Sequence, residues 1–551
     1  MSPPSAQPAK ELTSTLPSLP PTTPSPAPTP SSSELFDKDE KKLDDSPETS
    51  LAPGEYNPAV TGHPWRIKGP TLLLVLFLTL GSNFASSSIS PLKSTLKREL
   101  GVDNAQYANL DTADSLINTV LPILSGIAID YFGPIAGALY SSIVILLGTI
   151  LAGVAASTRS YPLFLVANII TGLGSSTIET SQSKLYSFYC LGGGIMGFVY
   201  GLDIGIGRVY NLAGKLSAVP IMEGTGSYAW TFWVSAILCA FTFLLTVSLA
   251  LYERTFPACA RVPTGRQAAV FAAKQLAPGQ APASFGRRWK EERKYFVMSL
   301  MALPACFWIM DVSQLLQAGA VNAYTSNLAD AISTTRNKSK AAAGYTSAIG
   351  QIIPIVLTPC LGMIFDRFGR RMHWVTWTAS LYVLVFALLA YTTVQPLVPS
   401  ILGSLALATN VLPWIASIPL LVPDQARLGT AFGVYKSLNS CGSVIVTVAA
   451  GAIQDRTKPG RTEYNTVFAF LIAIKAFDVL LGLSYNLFDK RYLHGVLRSN
   501  DKQLRRLEEE MSEEERLSGL RKPIKAVTVA ALGVVGAMIV TAWVLYLVYA
   551  V

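Results

Sequence analysis

The sequence predicts an all-α polytopic membrane protein, with two groups of six transmembrane helices and one extra C-terminal helix. Half of its 551 residues are apolar, and only 14% are Asp, Glu, Lys or Arg, against about 25% in a typical soluble domain. Uncharged runs long enough to cross a bilayer recur along the chain and lack the alternation of barrel strands. A water-soluble enzyme and a wholly disordered chain are therefore excluded.

Thirteen apolar runs define the predicted spans, and each could cross a hydrocarbon layer of ~30 Å as a helix. They lie at about 67–90, 108–130, 134–157, 161–185, 191–219, 228–251, 295–322, 342–365, 373–393, 397–422, 429–452, 464–487 and 525–551. The first six form an N-terminal half over 66–252, and the next six form a C-terminal half over 295–487. Two six-helix halves predict a central cavity between them.

Three polar regions separate or flank these spans. Residues 1–65 are rich in Pro, Ser and Thr and predict a disordered cytoplasmic tail. Residues 253–294 form a basic linker, which we expect to be cytoplasmic. Residues 488–524 predict a charged cytoplasmic helix with an acidic block from Glu508 to Glu515, and a solvated surface is the simplest interpretation of that block.

The formal net charge of +9 comes from basic residues in the short segments between spans. They indicate topology rather than a nucleic-acid partner, because cytoplasmic loops are enriched in Lys and Arg. The predicted N-terminus is cytoplasmic, and the odd number of spans places the C-terminus in the lumen. The sequon Asn337-Lys338-Ser339 then falls in a lumenal loop and predicts N-glycosylation at Asn337.

The residues that usually build enzyme centres are sparse. The six cysteines are scattered, and none of the three histidines falls in the middle of a span. No metal-ligand spacing, catalytic triad or phosphate-binding loop is visible. We therefore expect no enzymatic activity, no metal and no cofactor.

The most specific motif follows the eighth span. Its defining residues follow the pattern G-x-x-x-D-R-x-G-R-R: Gly362, Asp366, Arg367, Gly369, Arg370 and Arg371. A weaker copy without the arginines, from Gly126 through Asp130 to Gly133, occupies the matching place in the first half. This pattern resembles the loop signature of the major facilitator superfamily, and the resemblance implies that fold. Carboxylates here can cap and pair with neighbouring helices, so we expect a latch that holds one conformation.

Several charged residues lie inside predicted spans, where a charge costs about 2.5–3.5 kcal/mol on insertion scales and is normally functional or paired. Glu179 lies in span four, and Asp203 and Arg208 lie in span five. Glu179 could hold an amine and Arg208 a carboxylate, as a zwitterionic solute requires. Alternatively, they pair with each other or with Asp203. Five further charges fall in or near spans: Lys184, Asp311, Lys436, Lys475 and Asp478.

Aromatic and amide side chains are further candidates for the cavity wall. Tyr186 follows span four, and Asn410 and Trp414 lie in span ten. Such residues can line an amphipathic cavity. They can equally be packing or membrane-interface residues, so both interpretations stay open.

Four segments resemble one branch of that superfamily, the lysosomal dipeptide transporter group: Pro91–Val102, Gly201–Asn211, Pro423–Gly433 and Gly451–Asp455. The resemblance covers about 66–495 and departs from the usual pattern at Tyr210. It implies that Glu179 and Arg208 contact the substrate. It also implies uniport of dipeptides from a lysosome or vacuole to the cytosol, and a glycosylated accessory membrane subunit.

Two other functions remain open on the sequence. A proton-coupled carrier of a sugar, monocarboxylate or amino acid would use Asp203 or Asp311 as its proton carrier. A non-transporting scaffold or nutrient receptor would use the tail and the 488–524 helix to bind partners.

Overall fold

The computed structural model describes residues 63–101, 104–190, 194–257, 260–267, 295–313, 315–457, 462–510 and 519–550. Within these ranges every regular element is a helix. The tail up to residue 62, the linker from 268 to 294 and the acidic segment 511–518 lie outside the described residues. The predictions made for those segments remain predictions.

The first half contains eight helices because its first span is split and a short helix follows it. They are α1 (Trp65–Leu76), α2 (Leu80–Ser88), α3 (Lys93–Leu100), α4 (Asn104–Phe132), α5 (Pro134–Thr158), α6 (Tyr161–Cys190), α7 (Met196–Thr225) and α8 (Ala229–Arg254).

The second half and its extension contain eleven labelled helices over the described residues. They are α9 (Ala305–Ser313), α10 (Leu315–Arg336), α11 (Lys340–Phe368), α12 (Arg371–Tyr391), α13 (Leu397–Asn410), α14 (Leu412–Ile415), α15 (Ile418–Leu421), α16 (Leu428–Asp455), α17 (Asn465–Tyr492), α18 (Asp501–Glu510) and α19 (Lys525–Ala550).

Each predicted span has a helical counterpart. Eleven helical stretches among the described residues are long and apolar enough to cross a membrane, or twelve when one bent pair counts as a span. Helix α7 has the length but not the composition, because Asp203, Arg208 and Asn211 interrupt its apolar sequence. Those twelve and α7 correspond to the thirteen predicted spans, six in each half and one at the C-terminal end. The chain is a multi-pass membrane protein.

The first predicted span, 67–90, is not one continuous helix. Its two parts, α1 and α2, are separated at residues 77–79. The carbonyl of Val75 accepts a bond from Gln182 Nε2 at 3.0 Å, and the carbonyl of Leu76 accepts one from Tyr210 at 3.5 Å. Distant side chains thus bind polar groups beside the break, as a non-helical backbone inside a membrane requires.

Two other spans are bent. The seventh, predicted as 295–322, consists of Tyr295–Met301 and Ala305–Arg336 at an angle of 77° to one another. Pro304 lies at the bend, and the helix continues well beyond the predicted end. The tenth span divides into α13, α14 and α15, whose short pieces each contain a proline, Pro413 or Pro419. Proline removes a helical hydrogen bond and so favours such breaks.

The halves meet along two helix pairs, α4 with α16 and α7 with α11. Glycines permit the close approach: a Cβ on Gly126 would lie 2.3 Å from the carbonyl oxygen of Gly429, and one on Gly362 would lie 2.2 Å from that of Gly197. Both contacts lie where α4 and α11 end and where α16 and α7 begin. We call this the closed end of the molecule and the opposite end the open end.

Candidate functional site

A cavity of about 840 Å³ lies between the two halves. Its wall comes from the C-terminal parts of α2, α5, α7 and α10 and from the N-terminal parts of α6, α8 and α11. Since successive spans run in opposite directions, these parts all lie toward the open end. The cavity is therefore on the side opposite the tight glycine contacts.

Arg208 lines this cavity together with Asn211 and Lys215. Residues spaced i, i+3 and i+7 share one face of a helix, so α7 presents a single polar face to the cavity. The Nη1 of Arg208 donates to Gln351 Oε1 on α11 at 2.8 Å. Its Nε is buried and has no hydrogen-bond partner among the described residues. The guanidinium thus reaches across to the other half and keeps a donor for a further acceptor.

Glu179 continues the cavity face of α6 toward the closed end. Asn168, Gly172 and Ser175 line the cavity, and Glu179 follows Ser175 by four residues, one turn deeper on the same face. Its carboxylate forms an ion pair with Lys436 of α16, in the other half. Solvent reaches 45% of the Glu179 side chain and 25% of that of Lys436. The acid is therefore accessible and paired to a cation that belongs to the opposite half.

These contacts exclude, in this conformation, the pairings among Glu179, Arg208 and Asp203 that the sequence left open. Arg208 forms no ion pair with Glu179 or with Asp203. Glu179 is paired with Lys436, and Arg208 donates to Gln351, and both of these partners belong to the second half. Both side chains thus link the halves instead of stabilising one of them.

Asp203 and Tyr186 lie in a buried network behind the cavity. Asp203 Oδ1 accepts from Gln182 Nε2 at 2.7 Å and from the Tyr186 hydroxyl at 3.0 Å. Tyr186 is fully buried, and Gln182 also contacts the break between α1 and α2. In this conformation the network supports the broken first span, and direct substrate contact by these two residues stays a prediction.

Asn410 and Trp414 lie in the interior of the second half. Asn410 accepts a bond from Gln317 at 3.4 Å, and the Trp414 ring packs edge-on against Tyr485 with centroids 5.3 Å apart. Both are buried. They occupy packing positions in this conformation, and a substrate-binding role for them also stays a prediction.

Asp130, the carboxylate of the weaker motif copy, caps a helix of the opposite half. It accepts from the backbone N–H groups of Gly429 and Thr430 at 2.8 and 2.7 Å, and from the Thr430 hydroxyl at 2.6 Å. These are the first residues of α16, whose unpaired N–H groups favour an anion. Lys184 of α6 supplies the counter-ion at 2.5 Å.

Asp366 makes the corresponding contact in the second copy. Its two carboxylate oxygens accept from the backbone N–H groups of Gly197 and Phe198, at the start of α7, at 2.7 and 2.8 Å. Each half thus caps a helix of the other with an aspartate. These two contacts are the geometry that the latch expected for both motif copies would use.

The glycine and arginines of the stronger copy turn toward the segment after α17. Gly369 has a φ of +67°, and a Cβ there would lie 2.4 Å from the carbonyl oxygen of Arg498. The buried Arg371 donates to the carbonyl of Ser499 at 3.3 Å, and the Arg370 backbone donates to that of Arg498. Asn500 donates to the carbonyl of Arg367. The motif therefore also anchors the C-terminal extension.

Asn337 is exposed between α10 and α11 with a φ of 49°. It lies at the open end, the same end as the cavity. The predicted glycosylation is geometrically possible there and stays a prediction.

Several residues of this arrangement had no assigned role at the sequence level. Lys184 and Lys436 are visible as charges in spans, but no spacing links them to Asp130 and Glu179, which lie 54 and 257 positions away. Gln182 and Gln351 are neutral, so the search for charges inside spans does not select them. The available clue for Gln182 is its position one turn from Tyr186.

Comparisons with known proteins agree with this architecture. The family model described as Major Facilitator Superfamily matches residues 75–318 and 310–550. The lysosomal dipeptide transporter MFSD1 of Danio rerio is 23% identical over 467 residues, which cover 82% of this chain and 93% of that protein. MFSD1 of Mus musculus is 22% identical over 400 residues, covering 70% and 79%.

Solved structures share the fold. The proton:xylose symporter XylE superposes with a TM-score of 0.57 at 15% identity, covering 81% of this chain and 99% of that one. The fucose:proton symporter FucP of E. coli gives 0.54 at 16% identity, covering 75% and 98%. The family and the relatives it matches are transporters and not enzymes. With two capped six-helix halves around one cavity and a family match over most of its length, the chain belongs to the major facilitator superfamily.

Proposed function

We propose that this transporter carries dipeptides by uniport, from the lumen of a lysosome or vacuole to the cytosol, through alternating access. One observation carries the proposal: a half-exposed acid, Glu179, and a cavity-lining guanidinium, Arg208, lie on adjacent helices of one half, and each is held by the other half. The names and coverage of the MFSD1 relatives support the same substrate class.

The two side chains match the ends of a peptide zwitterion. A guanidinium binds a carboxylate through two parallel N–H groups, and the buried Nε of Arg208 is available for one of these bonds. Glu179 would hold the α-ammonium group. Two extended residues span about 7 Å, so a dipeptide can present both charged ends within one cavity.

Lys436 neutralises Glu179 when no substrate is bound. Its ammonium occupies the position at Glu179 that the substrate amine would take. Binding of a peptide would release Lys436 and Gln351 from the first half. The substrate would thereby replace two contacts between the halves with its own, and the halves could then rock about the midplane site.

The test is uptake of a labelled neutral dipeptide, Ala-Ala, into vesicles that contain the purified protein. Glu179→Gln and Arg208→Ala should each lower kcat/KM at least tenfold, since each removes a charge-assisted bond worth about 1.5–3 kcal/mol. Glu223→Gln and Arg456→Ala are matched controls, because both residues are exposed and neither lines the cavity.

Unchanged flux in both site variants would contradict the site assignment. A pH gradient in the same assay separates uniport from the alternative, proton-coupled transport. Asp311 favours that alternative: it is buried in α9, and its Oδ2 has no hydrogen-bond partner among the described residues. Uniport predicts no accumulation above the outside concentration, whereas coupling through Asp311 predicts accumulation that Asp311→Asn abolishes.

The compartment and orientation belong to the same proposal. The cavity and Asn337 share the open end, which would face the lumen, and both relatives are named lysosomal. A glycosylated accessory subunit, as the resemblance implies, would be detected by co-purification from the native membrane. The sequon is tested by deglycosylation: the wild type should lose mass, and the Asn337→Gln variant should not.

A further inference from the structure

The cavity wall carries an excess of positive charge. Lys93, Arg208 and Lys215 line it, and the described residues that line it include no Asp or Glu. The other polar lining groups are hydroxyls and amides, such as Asn168, Ser175 and Ser326. The nearest acid along the α6 face is Glu179, one turn deeper, and Lys436 neutralises it. An entering solute therefore meets a net cationic surface.

Lys215 has a defined position in this wall. It lies seven residues after Arg208 on the same face of α7, which places its Cα about 10.5 Å closer to the open end. Its side chain is exposed, and it forms no ion pair with any described carboxylate. A Cβ on the preceding Gly214 would lie 2.6 Å from the carbonyl oxygen of Phe84. The backbones of α7 and α2 therefore pack closely at Gly214, and this packing sets the depth of the Lys215 Cα in the cavity.

We propose that Lys215 is a second carboxylate site and that the preferred cargo is an acidic peptide, with a carboxylate in its side chain as well as at its C-terminus. The inference rests on the proposed function and adds that the peptide substrate carries an acidic side chain. Arg208 and Glu179 take the two ends of the backbone, and the side-chain carboxylate extends toward the open end. The two Cα atoms of Arg208 and Lys215 are farther apart than a dipeptide backbone is long. The acidic side chain of the peptide and the flexible side chain of Lys215 together span the remaining distance.

Electrostatics also acts before binding. Lys93 and Lys215 lie toward the entrance, where a cluster of one sign raises the local concentration of oppositely charged solutes. Peptides with a basic side chain would meet two like charges before they reach Arg208. The selection should weaken at high ionic strength, because charges in a wet cavity are screened over about 8–10 Å at physiological salt.

The experiment measures KM for Ala-Glu, Ala-Ala and Ala-Lys in vesicles containing the wild type, Lys215→Ala or Lys215→Glu. The wild type should show a KM for Ala-Glu about three- to tenfold below that for Ala-Lys, the range expected for one solvent-accessible charge pair and the loss of one repulsion. Lys215→Ala should narrow the difference at least twofold, by raising the KM for Ala-Glu more than that for Ala-Ala, and Lys215→Glu should narrow it further, since Lys93 remains in both variants. Arg98→Ala is the control, because this exposed cation at the same end lies outside the cavity.

Two outcomes separate failure of this inference from failure of the proposed function. Transport of Ala-Ala with the same Ala-Glu to Ala-Lys ratio in all variants would overturn the role of Lys215 alone. If the wild type carries none of the three peptides, the proposed function fails. The charge selection is then tested by thermal stabilisation with glutarate, which has two carboxylates and no amine. Stabilisation that Lys215→Ala abolishes would support it, and equal melting shifts in both proteins would overturn it.

Discussion

At the scale of single residues, the most demanding contact is the pair of Asp130 and Lys184, both fully shielded from solvent. Removing two charges from water is expensive, and such a pair is tolerated only when further hydrogen bonds satisfy it. Asp130 has those bonds from the first residues of α16. The same aspartate thus neutralises a buried lysine of its own half and caps a helix of the other.

We predict that Asp130→Asn destabilises the protein by about 3–5 kcal/mol, because it leaves the Lys184 ammonium buried and uncompensated. The double variant Asp130→Asn with Lys184→Met should recover much of this loss, since no unpaired charge remains. The melting temperatures of the detergent-purified variants provide the measurement. A double variant no more stable than Asp130→Asn would show that the charge is not the cause.

At the scale of elements, α19 is the addition to the 6 + 6 plan, and its packing indicates what it does. It contacts α9 and α16 of the second half and α4 of the first. Trp543 donates to Thr119 of α4 at 3.1 Å, and the Thr119 carbonyl accepts from Ser437 of α16. The helix therefore covers the seam where the two halves meet.

One side of α19 is packed and the other is not, which allows a matched comparison. Ala542 is fully buried, whereas 61% of Val540 is exposed. We expect Ala542→Leu to lower stability by about 1–3 kcal/mol through overpacking, and Val540→Leu to leave it within 0.5 kcal/mol. Thermal unfolding in detergent would show the difference. Equal shifts would mean that α19 does not dock through this face.

At the scale of the whole molecule, the closed end depends on backbone contact between the halves. Gly126 and Gly362 allow that contact, and a side chain at either would overlap the backbone of the opposite half. Packed interfaces switch between discrete arrangements and do not deform continuously. Bulk at these glycines should therefore shift the carrier toward the conformation in which this end is open.

We predict that Gly126→Leu makes a cysteine placed at the cavity residue Asn168 several-fold less reactive toward an impermeant thiol reagent added from the open end. The Cys360→Ser background is needed, because Cys360 is an exposed native thiol. Gly344→Leu is the control, since a Cβ there meets nothing within 4 Å. Unchanged labelling in the Gly126 variant would show that the closed end tolerates the added side chain.

The spans and the helix-capping aspartates of the two motif copies could be predicted from the sequence for specific reasons. An apolar run that must satisfy its own backbone in lipid has essentially one solution, a helix, and the predicted 6 + 6 + 1 arrangement is confirmed. The first span is confirmed over Trp65–Leu92. The break inside it was not predicted, because Gln182 and Tyr210 bind the carbonyls beside it. These hydrogen bonds join residues more than a hundred positions apart, and no local sequence pattern predicts such a bond.

By itself, the sequence determined that this is a helical membrane protein with mid-membrane charges, since hydropathy and the cost of burying charge are local properties of a segment. Only the tertiary structure decided the partner of each charge: Lys436 for Glu179, Gln351 for Arg208 and Lys184 for Asp130. Pairing depends on which helix faces meet, and the packing of all the helices together sets those contacts.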